Sequence, residues 1–298
     1  MSNPVRYRVR HETTYRYRGN VAHSHQLLHL APRDFATQTC LSRSIHLDPE
    51  PSARHDDVDA FGNFVTRLEY ELPHDHLDVL AEVEVEIHAP PQAPGGGSAA
   101  WEEVRDALIY SGGPMTPDAL DACRFRMESS YVRVKQTFRD YAADCFLPGC
   151  PLLLGAESLM RKIHGDFRYA PGSTTIRTRV TEAFAARTGV CQDFAHIMLA
   201  CLRSLGLAAR YVSGYLRTTP DPKADGALLG GDASHAWVSV FCPPFGWIGL
   251  DPTNDVRAGT DHIVIAWGRD FGDVSPLRGV IVGGGGHRLS VRVSVQPE

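Results

Sequence analysis

One cysteine stands where the sequence predicts the start of an apolar helix. The stretch GVCQDFAH occupies residues 189–196, and its glycine with the preceding threonine marks the beginning of a helix predicted over 191–205. Cys191 then lies in the first turn, where the helix dipole and unpaired backbone N–H groups favour a thiolate. Cys191 is therefore a candidate nucleophile. The competing interpretation is a buried structural cysteine, which we expect for Cys201 on the apolar face of the same helix.

A predicted β-hairpin carries the second set of reactive side chains. Its strands read SHAWVSVF over 234–241 and WIGLD over 247–251, joined by the turn CPPFG. A hairpin centred on Pro243 places His235 opposite Asp251, with both side chains on one face. A carboxylate beside an imidazole fixes its tautomer and raises its basicity. A one-residue slip would separate the two side chains, and a purely structural hydrogen bond is the alternative role.

The chain order of these three residues is that of a Cys–His–Asp triad. In such a triad the cysteine attacks an acyl carbon. The histidine takes the thiol proton and later delivers it to the leaving amine, while the aspartate orients the imidazole. The sequence therefore predicts Cys191, His235 and Asp251 as the catalytic residues of a cysteine enzyme that acts on acyl groups.

The text of these motifs resembles a known family. GVCQDFAH, RYVSGYL, DASHAWVSVF and GWIGLDPTN are similar to the core of the transglutaminase-like superfamily of cysteine enzymes, in its bacterial branch. The segment from YRVRHETTYRYRG to LLHLAPR, with DAFGNFV, resembles the N-terminal β domain fused to that core in bacteria. The resemblance implies the same triad, a papain-like core and acyl transfer from, or hydrolysis of, an amide of a protein or peptide substrate. It implies no cofactor, and it leaves open whether water or an amine is the acceptor.

Five further side chains are weaker candidates. Tyr169 is the candidate second donor to an oxyanion, although a packing tyrosine is the alternative. Trp237 is a candidate wall of the substrate site or a hairpin-packing residue. Asp193 points away from the cysteine on a helix and is expected to serve the helix dipole. Asp270 and Asp273 are expected in a solvated turn.

The surrounding segments predict an α+β fold in two parts. The first 90 residues alternate polar and apolar side chains, as in 5–17, 64–72 and 81–87, and predict an antiparallel β-sandwich-like domain. In it, an arginine row on the first strand could face a glutamate row on the last. Residues 91–100 contain APGGGSAA and predict an exposed linker. Residues 101–298 predict the transglutaminase-like core, with helices over 117–145, 156–164 and 181–187 packed on antiparallel strands.

Composition excludes several classes of protein. The chain has 298 residues, a formal net charge of −5 and ordinary hydrophobic content, which excludes a disordered chain and argues against nucleic-acid or membrane partners. The net acidity also disfavours acidic substrates. Seven cysteines at irregular spacing, without a C-x-x-C pair or a signal-like N-terminus, predict free thiols in the cytoplasm.

Three other functions remain open at this stage. The pairs His23/His25 and His74/His76 could bind zinc, but each lacks a nearby third ligand, so no metal is predicted. A second alternative is a non-catalytic scaffold that binds a peptide or protein. A third is arylamine acyl transfer from a thioester, which uses the same triad order but does not account for the N-terminal β domain.

Overall fold

The computed structural model describes residues 3–110, 112–217, 228–229 and 233–298. Its strands are β1 (Val5–Leu28), β2 (Gln38–Asp48), β3 (Ala53–Val58), β4 (Phe64–Tyr70), β5 (His74–Ile87), β6 (Arg168–Tyr169), β7 (Thr188–Gly189), β8 (Ala209–Leu216), β9 (His235–Phe241), β10 (Trp247–Asp251), β11 (Val256–Arg257), β12 (His262–Gly268), β13 (Leu277–Gly283) and β14 (His287–Pro297). Its α-helices are α1 (Trp101–Ala107), α2 (Pro117–Cys123), α3 (Gln136–Ala142), α4 (Leu152–Asp166), α5 (Val180–Ala186), α6 (Cys191–Ser204) and α7 (Phe271–Val274). Within these ranges, no helix combines the length and apolar character needed to cross a bilayer.

The N-terminal sheet follows from the alternating pattern. Its central order is β2-β5-β1-β4-β3, and all of these pairs are antiparallel. Along β5, every second side chain from Leu77 to Ile87 is buried, with acidic residues between most of them. Strands β1 and β5 pair Arg6 with Glu86, and the arginine Nε lies 2.8 Å from the carboxylate. The predicted antiparallel β unit and the facing charged rows are confirmed, although the strands form one sheet rather than two.

The C-terminal strands belong to this same sheet. Strand β14 pairs with the first half of β1, from Tyr7 opposite Pro297 to Tyr17 opposite His287, and β13 pairs with its second half. The seven-stranded sheet is therefore built from both ends of the chain. The prediction that all of residues 101–298 lie in the core is wrong for these two strands, because an alternating pattern does not specify which sheet a strand joins.

The predicted linker over residues 91–100 is packed in part. Ala93 and Ser98 are buried, the Ser98 hydroxyl accepts the Leu153 N–H at 3.0 Å, and the Arg257 guanidinium donates to the Ala93 carbonyl at 2.5 Å. Apolar side chains of the N-terminal sheet and of α4 and α6 also share one hydrophobic cluster. The segment is therefore fixed at Ala93 and Ser98, whereas Pro91, Gln92, Pro94, Gly96 and Gly97 are exposed, as the glycines and prolines predicted.

The core centres on α6, which is buried from Asp193 to Ser204 and packs against β8 and β9. The sheet beneath it has the order β11-β10-β9-β8-β12. The apolar helix predicted over 191–205 is confirmed within one residue. The single helix predicted over 117–145 is wrong: the chain forms the short helices α2 and α3 with a turn-rich segment between them.

Candidate active site

Cys191 is the first residue of α6, as the sequence predicted. The carboxylate of Asp193 accepts the N–H of Val190 at 2.9 Å and the hydroxyl of Thr174 at 2.6 Å, which holds the turn that enters the helix. A Cβ on Gly189 would lie 2.7 Å from the Asp193 Cβ, so the approach requires glycine. Asp193 therefore positions Cys191 through the backbone and does not contact the reacting atoms, in agreement with its predicted role at the helix start.

His235 begins β9 and Asp251 ends β10. The hairpin pairs Trp247 with Phe241, which is two residues away from the predicted register, so the predicted direct opposition of His235 and Asp251 is wrong. Because side chains alternate with a period of two, this shift leaves both on the same face. His235 Nε2 lies 2.8 Å from Asp251 Oδ2, so the structure does bring the two side chains together.

Asp251 is fully buried and surrounded by hydrogen-bond donors. Its Oδ1 accepts the backbone N–H of Thr253 at 2.9 Å, and its Oδ2 accepts the side-chain amide of Asn254 at 2.7 Å. Burial alone would raise the pKa of this carboxyl, but the His235 charge and hydrogen bonds from His235 and His262 outweigh it and hold the pKa far below its ordinary value. Asp251 is therefore ionised, and an ionised carboxylate requires the proton of His235 on Nε2.

The second imidazole nitrogen is left for the cysteine. Burial lowers the pKa of His235, but the charges of Asp251 and Cys191 and the hydrogen bond to Asp251 raise it, to about 10. With Nε2 occupied by Asp251, Nδ1 is the nitrogen available to the sulfur, and it makes no hydrogen bond to any of the described residues. A raised pKa favours the protonated, positively charged form of the imidazole. Cys191 itself is partly exposed.

The other predicted neighbours occupy different positions. Tyr169 lies on β6, paired with Gly189 on β7 and thus two residues ahead of Cys191. This placement brings the tyrosine beside the strand that leads into the nucleophile. Trp237 is only 1% exposed and stacks on His235, with ring centroids 6.1 Å apart, so it packs against the imidazole, as expected of a hairpin-packing residue.

Two side chains that contact Asp251 were not predicted from the sequence. Asn254 follows it by three residues, a separation that a turn after β10 can bridge, so the local sequence held a signal. His262 lies on β12, with Nε2 3.3 Å from Asp251 Oδ2 and its ring packed edge-on against Trp237 at 5.2 Å. Its position depends on the order of strands across the sheet, which no short motif reveals.

The remaining predicted residues do not join this site. Asp270 is buried, contrary to the predicted solvated turn, and accepts the backbone N–H groups of Tyr131 and Gly272, both at 2.8 Å. Asp273 pairs with Arg269 at 2.9 Å, as expected of a turn residue. Cys201 is fully buried, and burial raises the pKa of its thiol, consistent with the structural role predicted for it.

His74 and His76, one of the two histidine pairs considered for zinc, lie on β5 of the N-terminal sheet. His74 is buried and its Nδ1 contacts the Leu72 carbonyl at 3.0 Å. His76 offers a ligand atom within 4.8 Å of ligand atoms from Asp48 and Asp78. Arg16 already forms two hydrogen bonds with the Asp78 carboxylate, so a cation at this cluster would compete with a guanidinium.

Comparison with known proteins identifies the family to which the chain belongs. Residues 7–86 match the bacterial transglutaminase-like N-terminal region, and residues 148–252 match the transglutaminase-like superfamily. The second match contains Cys191, His235 and Asp251. A solved structure from Cytophaga hutchinsonii, described as a candidate cysteine protease, superposes with a TM-score of 0.76 and 19% identity over 99% of this chain and 91% of that one. At this identity the likeness shows the fold.

Several relatives align along the sequence. An uncharacterized protein of Mycobacterium tuberculosis is 41% identical over 288 residues, which cover 94% of this chain and 89% of the relative. An uncharacterized protein of Mycobacterium leprae is 30% identical and is covered over 98% of its length. A protein-glutamine gamma-glutamyltransferase of Pseudomonas aeruginosa is 31% identical over 107 residues, which cover 34% of this chain and 16% of that protein.

Proposed function

Since the chain belongs to the transglutaminase-like superfamily, we propose that it is a cysteine-dependent enzyme that transfers or hydrolyses the acyl group of an amide bond. One observation carries the proposal. A buried imidazole lies 2.8 Å from Asp251 through one nitrogen, and its pKa is raised by the charge of Asp251 and, to a smaller extent, by Cys191 at the first position of a helix. These are the environments that a thiolate nucleophile and its acid–base partner require.

In the proposed acylation, the sulfur of Cys191 forms a bond to the carbonyl carbon of the substrate. As the C–N bond breaks, its electron pair stays on the nitrogen, and the His235 imidazolium donates its Nδ1 proton to the leaving amine. The products are a thioester on Cys191 and a free amine. Asp251 keeps the other proton on Nε2 throughout, so the imidazole presents the same nitrogen to the reaction.

The proposed deacylation reverses these roles. Neutral His235 accepts a proton from water or from an amine while the oxygen or nitrogen of that acceptor bonds to the acyl carbon. The C–S bond breaks and the thiolate is restored. Water yields a carboxylic acid, and an amine yields a new amide. The reaction needs no cofactor, because the thiol and imidazole supply the nucleophile and the proton transfers.

The oxyanion formed in each step requires hydrogen-bond donors. The N–H of Cys191 belongs to the first turn of α6, where backbone N–H groups have no partner within the helix. We propose Tyr169 as the second donor, because β6 runs beside the two residues that precede Val190. Replacing Tyr169 by phenylalanine should lower turnover by about 10²-fold and leave alkylation of Cys191 unchanged.

A library of capped peptides with glutamine and other amide-bearing residues tests the proposal, with ammonia release and fluorescent-amine incorporation as the two measurements. We expect activity from the wild type, and none from Cys191→Ser or His235→Ala. Cys40→Ser is the matched control, because Cys40 is also partly exposed and lies in the N-terminal sheet. Retention of activity in Cys191→Ser would contradict the mechanism. Peptide binding without turnover by the wild type would instead favour a scaffold.

A further inference from the structure

A groove with a positively charged lining lies on the helical part of the molecule. We call it the basic groove; its volume is about 580 Å³. It lies between two segments, one leading into α3 and the other into α5. The lining includes Tyr131, Arg133, Lys135, Ile176, Arg177 and Arg179. Four of them are cationic and none is acidic, in a chain whose net charge is −5.

The charges of the basic groove are largely uncompensated. Arg133 approaches one acidic side chain, Glu128, with its Nη1 3.4 Å from the carboxylate. Lys135, Arg177 and Arg179 are exposed and take part in none of the ion pairs within the described ranges. Clustered like charges repel one another, so an arrangement of this kind is favoured when an anionic ligand occupies it.

The basic groove adjoins the candidate active site at two points. Thr174, two residues before Ile176, donates its hydroxyl to Asp193 at the start of α6. Tyr131 lines the groove and stacks on His196 of α6, with ring centroids 5.3 Å apart. Both contacts are with α6, the helix that begins at Cys191, so the groove and the nucleophile are connected through one helix.

We propose that the basic groove binds acidic side chains of a peptide substrate, next to the residue that donates the acyl group. This specificity rests on the proposed function and adds a substrate class to it. Glutamate and aspartate fit the lining because guanidinium groups bind carboxylates in a planar, two-point geometry. Ile176 is 59% exposed and gives the same groove an apolar contact for the peptide stem. The proposal differs from the expectation that net acidity disfavours acidic substrates, because the charge of the groove lining is opposite to the net charge of the chain.

Binding to the Cys191→Ala protein tests the groove without depending on catalysis. The probes are three fluorescein-labelled, capped peptides in which one glutamine is flanked by glutamates, by serines or by lysines. We expect fluorescence anisotropy to show roughly tenfold tighter binding of the glutamate peptide than of the serine peptide. Raising NaCl from about 0.05 M to about 0.5 M should remove most of that difference, because exposed charges are screened.

Charge reversal locates the binding surface. Arg177→Glu/Arg179→Glu in the Cys191→Ala background should weaken binding of the glutamate peptide by about tenfold and leave the serine peptide unchanged. Arg288→Glu/Arg292→Glu is the matched control, because these two exposed arginines lie on β14, away from the groove. Thermal melting of each variant verifies that it is folded.

The outcomes separate this proposal from the proposed function. Equal affinity for the glutamate and lysine peptides, or equal losses in the two charge-reversed proteins, would overturn the groove assignment. So would tighter binding of a single-stranded oligonucleotide than of the glutamate peptide, because the groove would then be a nucleic-acid site. None of these results depends on turnover. Conversely, an inactive wild type that still prefers the glutamate peptide would overturn the proposed function alone.

Discussion

Asp251→Asn removes one charge and leaves the shape of the site almost unchanged. In the wild type, Oδ1 accepts backbone N–H groups of Thr253 and Asn254, while Oδ2 accepts from His235 at 2.8 Å and from the Asn254 amide at 2.7 Å. An asparagine that keeps its oxygen on the backbone places its NH₂ group against these last two donors. His235 must then move its proton from Nε2 to Nδ1, and it can no longer accept a proton from the acceptor molecule.

The size of the effect follows from these contacts. Loss of the orienting carboxylate in a catalytic triad costs about 10⁴-fold in turnover, and we expect a similar loss here. Donor groups that face each other in a buried site cost about 1–3 kcal/mol each, so stability should fall by about 3 kcal/mol. That corresponds to a decrease in Tm of roughly 6–12 °C, with the fold retained. Turnover of the best peptide amide and thermal melting measure the two effects.

Asp255→Asn is the matched control. Asp255 lies four residues further along with φ of 53°, a conformation that asparagine also adopts readily. We expect this variant to retain activity and stability. If Asp251→Asn keeps activity within about tenfold of the wild type while Asp255→Asn loses it, Asp255 is the orienting carboxylate and our account of the site is incorrect.

Two further predictions concern the imidazole and the packing behind it. The pKa of His235 is raised from 6.5 to about 10. The charged imidazole therefore stabilises the fold fully below pH 6.5, and this stabilisation is lost as the pH rises through about 10. The difference in Tm between wild type and His235→Gln should shrink over that pH interval. A Cβ on Gly214 would meet the Ile263 carbonyl and lie 2.6 Å from the Trp237 ring, so Gly214→Ala should lower the free energy of unfolding by about 3 kcal/mol. Gly259→Ala is the control, because a Cβ there has no heavy atom within 4 Å, and it should leave the thermal melting temperature nearly unchanged.

Local sequence patterns predicted the helix start and the hairpin because their causes are local. The apolar run after Cys191 forms α6, and polar–apolar alternation forms β9, β10 and the strands of the N-terminal sheet. The hairpin register was wrong by two residues, but the period of two kept His235 and Asp251 on one face. A one-residue error would have placed them on opposite faces of the hairpin. The contact was predicted correctly because the register differed by an even number of residues.

The remaining features depend on contacts between distant segments. Strands β13 and β14 show the same alternation as any half-buried strand, and only the open edges of β1 determine where they pair. His262 reaches Asp251 because β12 pairs with β8, which in turn pairs with β9. The glycine-rich segment 91–100 is held in place at two points, because Ser98 and Ala93 accept hydrogen bonds from residues far along the chain. None of these contacts has a signature within a short window of sequence.

Selective alkylation of Cys191 is the most direct test of the proposal that it is a poised nucleophile. At a pH near 6 ordinary thiols are almost wholly protonated, since their pKa is about 8.5. Dilute iodoacetamide should therefore label Cys191 ahead of Cys40 and Cys123, which are also partly exposed, as identified by mass spectrometry of a digest. His235→Ala should slow this labelling, because the positive charge beside the sulfur is lost. If Cys191 reacts no faster than Cys40 and Cys123, or if His235→Ala leaves its rate unchanged, Cys191 is not the activated thiol that the mechanism requires.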